Sequence, residues 1–131
     1  MTKLNFNKLP YTGTTVAIHK SKGEIEKLLK EIGAEGIQWT ETFSPPKIIL
    51  RVKFPTYVSN MELMVDDNPK HQRQVYRAYY WYFHGLVKFI KFGLIEAFDV
   101  FLPYAFVPSL GGTVKDLINP GNLDSNRLLE S

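Results

Sequence analysis

Apolar and polar residues alternate in two runs in the first half of the chain. In 37–43, Ile37, Trp39 and Phe43 share one face; in 47–54, Ile48, Leu50, Val52 and Phe54 do the same, with Arg51 and Lys53 on the other side. Period two is the repeat of a strand buried on one face. Ser44, Pro45 and Pro46 separate the runs, so the pair reads as an antiparallel hairpin that leaves Gln38, Thr40, Arg51 and Lys53 in water. Ahead of it, Ile25, Leu28, Leu29 and Ile32 recur at helical spacing, and Gly33 supplies a left-handed stop. Ser21 and Glu24 have the spacing of a capping box, which starts this helix at Ser21. The β-branched stretch 14–18 predicts a short first strand.

A longer helix is expected over about 68–92, with Pro69 in its first turn and Gly93 as its stop. Residues 56–70 show no clear period and read as a loop from which Met61, Leu63 and Met64 touch the core. Further on come a short helix over 96–102 ended by Pro103, an extended stretch 104–108, a turn at Gly111 and Gly112, and a last helical turn capped by Thr113. The expected fold class is α+β: an antiparallel β-hairpin or small sheet packed by a short N-terminal helix and a long aromatic amphipathic helix. One domain spans 14–120, between an N-terminal arm (1–13) and a C-terminal tail (121–131). A chain of 131 residues is long enough for one such core and too short for two.

Composition narrows the classes. Hydrophobic residues at 44% and charged residues at 22% are globular values, which set aside wholesale disorder. The absence of Cys removes disulfides, thiolate metal sites and cysteine nucleophiles together. The first residues lack the apolar stretch of an export signal, and the most apolar region, 86–107, is broken by Lys88, Lys91, Glu96, Asp99 and Pro103. A cytoplasmic protein with no membrane span is the expectation.

A net charge of +3 is too mild to name a partner, but its distribution is informative. Between 70 and 91 the charged residues are Lys70, Arg73, Arg77, Lys88 and Lys91, with no acid. At helical spacing these fall with Trp81 and His84 inside an arc of roughly 80°, opposite a broad apolar face of Val75, Tyr79, Tyr82, Phe83, Leu86, Phe89 and Ile90. Tyr80 lies at the edge of the row. Cations with aromatic planes set among them suit a phosphate backbone and unstacked bases, and Arg51 and Lys53 would extend the strip. The alternative is a solvated face that keeps the helix in solution, although such faces normally mix both signs. Tyr76 and Tyr80 also leave the helix apolar nearly all round. This points either to a subunit interface in a homo-oligomer or to cover from Phe98, Phe101, Tyr104 and Phe106.

Catalytic signatures are sparse. His19, His71 and His84 have no metal-ligand spacing. Asp66, Asp67 and Glu62 form the one acidic group to weigh as a cation site, against a solvated loop. Gly111, Gly112 and Thr113 outline an anion nest without its lysine, so a turn is expected there. No cofactor or metal is expected.

Several pieces together resemble small uncharacterised proteins encoded by bacteriophages and prophages. These are the run 20–29 with its end at Gly33-Ala34, the hairpin ending at Phe54-Pro55, Arg77-Ala78, Gly93-Leu94, Phe101-Leu102 and Gly112-Thr113-Val114. Those proteins usually carry Lys-Ala-Lys in mid-helix, where this chain has His84-Gly85-Leu86. The resemblance implies viral origin and, by association with replication and recombination genes, work on nucleic acid. The leading expectation is a non-enzymatic accessory protein that binds nucleic acid, single-stranded by preference. The alternatives are a protein-interaction module that sequesters a host or phage protein, and a small metal-dependent nuclease built on Asp66, Asp67 and Glu62.

Overall fold

The alternation in the first half builds the sheet. In a computed structural model that describes Tyr11 and residues 14–118, β1 (Gly36–Phe43) and β2 (Pro46–Lys53) pair antiparallel, with Trp39 opposite Leu50 and Glu41 opposite Ile48. The rest of the expected arm, the break after Ile118 and the tail lie outside the described residues. Ile48, Leu50, Val52 and Phe54 are buried, while Gln38, Thr40, Arg51 and Lys53 are exposed. Phe43 departs from the expected inward face. It stands at the turn opposite Pro46 and is 87% exposed.

A third strand occupies part of the expected loop. β3 (Val58–Met64) pairs with the free side of β2, giving the order β1-β2-β3. Its inward positions are Ser59, Met61 and Leu63, and the polar Ser59 is what breaks the apolar pattern in the sequence. No strand forms at 14–17. Helix α1 (Ile18–Glu31) instead begins after Ala17, and Ser21 lies inside it, fully buried, rather than capping it. A lone β-branched run has no partner for its backbone groups, whereas in the helix Ile18 packs against the core. Helix α2 (Pro69–Lys91) is continuous, and the Asn68 side chain accepts the Lys70 N–H at its start.

Both helices end in the same way. Gly33 (φ 103°) and Gly93 (φ 77°) adopt the left-handed conformation, so that Ala34 N–H reaches Leu29 C=O and Leu94 N–H reaches Phe89 C=O. The two helices cover one face of the sheet. Ile25 and Leu29 of α1, Tyr76 and Phe83 of α2, and the inward residues of β2 and β3 make one core. The buried arc of α2 holds Val75, Tyr76, Phe83 and Val87, while Tyr82 and Phe89, expected inward, are exposed. That rotation relative to the sequence expectation comes from α1, which packs along one flank of α2.

Beyond Gly93 the chain wraps the β3 edge. Phe101, in α3 (Ala97–Phe101), rests on Phe54 with ring centres 5.2 Å apart. Pro103 does not end the helical path but lies within a 3-10 turn, Leu102–Tyr104. Ala105 bridges to Ser59, and Phe106 reaches the outer face of the sheet, where Arg51 lies 5.9 Å from its ring centre. A two-stranded ribbon, β4 (Phe106–Val107) with β5 (Gly112–Thr113), leads into α4 (Val114–Leu117). The expected cap there is a reciprocal box between Thr113 and Asp116. Among the described residues, no helix is long and apolar enough to cross a membrane.

Glu41 ties the layers together. From the inner face of β1 its Oε1 accepts Lys22 Nζ of α1 at 2.9 Å and the Tyr76 hydroxyl of α2 at 2.7 Å. The Lys22 hydrogen bond, then that of Tyr76, hold the Glu41 carboxyl below its ordinary range. A lowered folded value adds stability that is complete above the unfolded carboxylate's range and is lost as pH falls through the folded one. Glu41→Gln is therefore expected to lower the urea midpoint at neutral pH. Its deficit against the wild type should shrink as pH falls through the lowered range of the folded Glu41 carboxyl, and a series of urea titrations against pH checks this.

Candidate nucleic-acid interface

The cationic row of α2 is real as a geometric object but divided in its employment. Helix α1 runs in the same direction beside it and places carboxylates along the row. Arg77 donates to Glu24 Oε2 at 3.2 Å and lies 3.5 Å from the Ser21 hydroxyl, and its side chain is only 13% exposed. Its guanidinium also stacks 4.1 Å from the Tyr80 ring centre. Lys91 pairs with Glu31 at 3.5 Å. These two cations are committed within the fold. Lys70, Arg73 and Lys88 make no ion pair among the described residues.

Arg51 and Lys53 do not extend the row. They project from the outer face of β2, with the sheet between them and α2, and Lys53 pairs with Glu35 at 3.5 Å. Tyr76 is not an interface residue either: it is buried, and its hydroxyl is spent on Glu41. Tyr80, the other expected interface residue, is half-buried beneath Arg77.

Trp81 holds the middle of the row and is 43% exposed. His84 and Tyr80 meet it edge-on, with ring centres at 5.1 Å and 5.0 Å. Tyr11 lies nearly parallel to it, at 6.3 Å between centres and 16° between planes. Tyr11 has φ 68°, a strained backbone conformation for a bulky side chain. The result is a half-exposed aromatic cluster, with Arg73 about two turns toward the start of the helix and Lys88 about two turns toward its end.

The sequence reading missed the other half of this surface. Starting α1 at Ile18 brings its first turn beside that of α2, and the cleft between them, about 520 Å³, is lined by His19, Lys22, Glu41, Gln72 and Arg73. Its one carboxylate, Glu41, is held by Lys22 and Tyr76. The signal was present in Ile18, whose helical spacing to Ile25 extends the apolar stripe about two turns earlier.

The carboxylates weighed for a nuclease are not brought together. Asp66 Oδ2 lies 2.6 Å from His71 Nδ1, which places His71 at the helix start and away from the basic row, and Glu62 on β3 reaches Lys47 at 3.4 Å. Among the described residues, no group of three or more His, Asp or Glu side chains is arranged to hold a metal ion. The Gly111–Gly112 turn spends its polar groups on the α4 cap, where Thr113 N–H donates to Asp116 Oδ2 at 3.0 Å. Set against known proteins, the chain matches no family model, no curated protein and no solved structure.

Arg77→Ala strips the charge partner from a half-buried Glu24 and uncovers Tyr80. It is expected to cost about 2 kcal/mol of stability, read as a lower urea midpoint with an unchanged slope.

Proposed function

We propose that this is a phage-type accessory protein of the host cytoplasm that binds single-stranded nucleic acid without cleaving it. The observation that carries the reading is the half-exposed Tyr11–Trp81–His84 cluster set between cations of one helix face that make no ion pair among the described residues. Arg73 and Lys88 stand about 22 Å apart along α2, a span that suits a short stretch of single strand. Lys70 continues the positive surface to the start of the helix, beside the cleft that Arg73 lines. Bases stack on the indole, phosphates follow the cations, and Arg77 holds the platform rather than a phosphate.

This division of labour makes the salt dependence quantitative. With Lys70, Arg73 and Lys88 as the free cations, log K against log salt should fall with a slope of about −2 for a single strand. Fluorescence anisotropy with a labelled oligonucleotide is expected to show that slope, and Arg73→Gln should flatten it by about 0.7. Trp81→Ala should weaken single-strand binding by about tenfold or more, and duplex binding less. Absence of binding at low salt removes the proposal.

A second reading, association with another copy of the chain, is favoured by the apolar side chains at the end of α2. Phe92 is 75% exposed, Leu94 70% and Phe89 56%, an unusual concentration for a surface that meets only water. Sedimentation velocity is expected to show concentration-dependent association that Phe92→Asp abolishes. A monomer at every concentration would leave this surface without that role.

A further inference from the structure

Helix α2 has a second open flank, turned away from Arg73 and Arg77, where it faces the edge of the sheet. Between it and β3 lies a groove of about 510 Å³, within the range of small-molecule sites. Its walls include Met61 and Leu63 of β3 and Val75 and Ala78 of α2, all apolar. Its polar lining is one-sided. Tyr79, Tyr82 and Tyr104 contribute phenols, and Lys115 lies with its ammonium 5.8 Å from the Tyr104 ring centre. The Tyr79 oxygen already accepts the Met64 N–H at 3.0 Å, which leaves its own O–H to donate. Burial pushes the Tyr79 and Tyr82 hydroxyls up, so both remain protonated donors at neutral pH.

The carboxylates near the groove are otherwise engaged. Glu62, the one acid lining it, pairs with Lys47, and the Asp116 carboxylate takes the Thr113 N–H. Lys115 makes no ion pair among the described residues. Lys115 also lies close enough to Asp116 to help the Thr113 hydrogen bonds hold that carboxyl down, yet no carboxylate among the described residues contacts its ammonium. An apolar trough edged by phenol donors and an ammonium is complementary to an apolar body that ends in an anion. A cationic amphiphile would meet Lys115 with like charge, and a neutral one would gain nothing from it.

We infer that the groove between β3 and α2 is a binding site for a small apolar carboxylate, with its chain on Met61, Leu63, Val75 and Ala78 and its head at Lys115 and the tyrosine hydroxyls. The site is independent of the nucleic-acid reading, since the two surfaces share no residue.

Methionine methyl resonances report on it directly. The chain has three Met, of which Met61 and Met64 line the groove. Decanoate, decanol and decyltrimethylammonium, titrated separately into the ¹³C-methyl-Met protein, compare head groups on a constant tail. Decanoate is expected to shift the Met61 and Met64 methyls saturably, with about tenfold higher affinity than decanol, and the ammonium compound should bind weakest. Lys115→Met should bring decanoate down to the affinity of decanol and leave decanol unchanged. Still methyls, an ammonium compound that binds as well as decanoate, or full decanoate affinity in Lys115→Met would each overturn the inference.

Discussion

Helix α2 must satisfy two neighbours at once, and that constraint orders the rest of the structure. Tyr76 and Phe83 are enclosed in the core shared by α1 and the sheet, and neither has exposure to spare. An amphipathic helix laid on a sheet needs one apolar stripe. A helix that also carries a second helix along its flank needs a wider one, which accounts for the aromatic load of α2. The constraint also sets what is left over. Once the sheet and α1 have taken their arcs, a cationic strip with Trp81 and a groove against β3 remain as the open flanks.

The same packing decides what each charge does. Glu24 and Glu31 of α1 reach the row from its covered side and bind Arg77 and Lys91 there. Arg77 is thereby a structural residue: it closes the seam between the helices, lies over Tyr80 and supports the neighbouring indole. Lys70, Arg73 and Lys88, which make no ion pair among the described residues, stand toward the two ends of the row. On the proposed reading, stacking at Trp81 would count for more than charge, which favours unpaired bases over a uniform phosphate lattice.

Much of this was legible in the chain, because the strongest signals were periodic. The hairpin followed from alternation across Ser44 to Pro46, and the long helix from Asn68, Pro69 and Gly93, since local geometry enforces these features whatever surrounds them. The misreadings have tertiary causes. β3 was hidden because Ser59 occupies an inward position beside Ala105, a neighbour from the far end of the chain. Ser21 looked like a cap and is a small residue at the helix–helix seam, where Arg77 comes close. Tyr76 looked like an interface residue because nothing in its own segment announces Glu41 as its partner. The cationic row itself was readable, but which of its members were free depended on the position of α1, and one helix's spacing does not encode that.

The central claim is that the exposed strip of α2 around Trp81 is a surface for single-stranded nucleic acid, and the indole resonances address it most directly. The chain has two Trp. Trp39 donates its Nε1–H to Glu26 at the seam between β1 and α1, which makes it an internal control. On adding a short oligothymidylate, the account predicts that the Trp81 indole signal moves together with the backbone amides of Arg73, His84 and Lys88, while the Trp39 indole stays in place. A Trp81 signal unchanged by saturating oligonucleotide, or shifts confined to the outer face of the sheet, would contradict it.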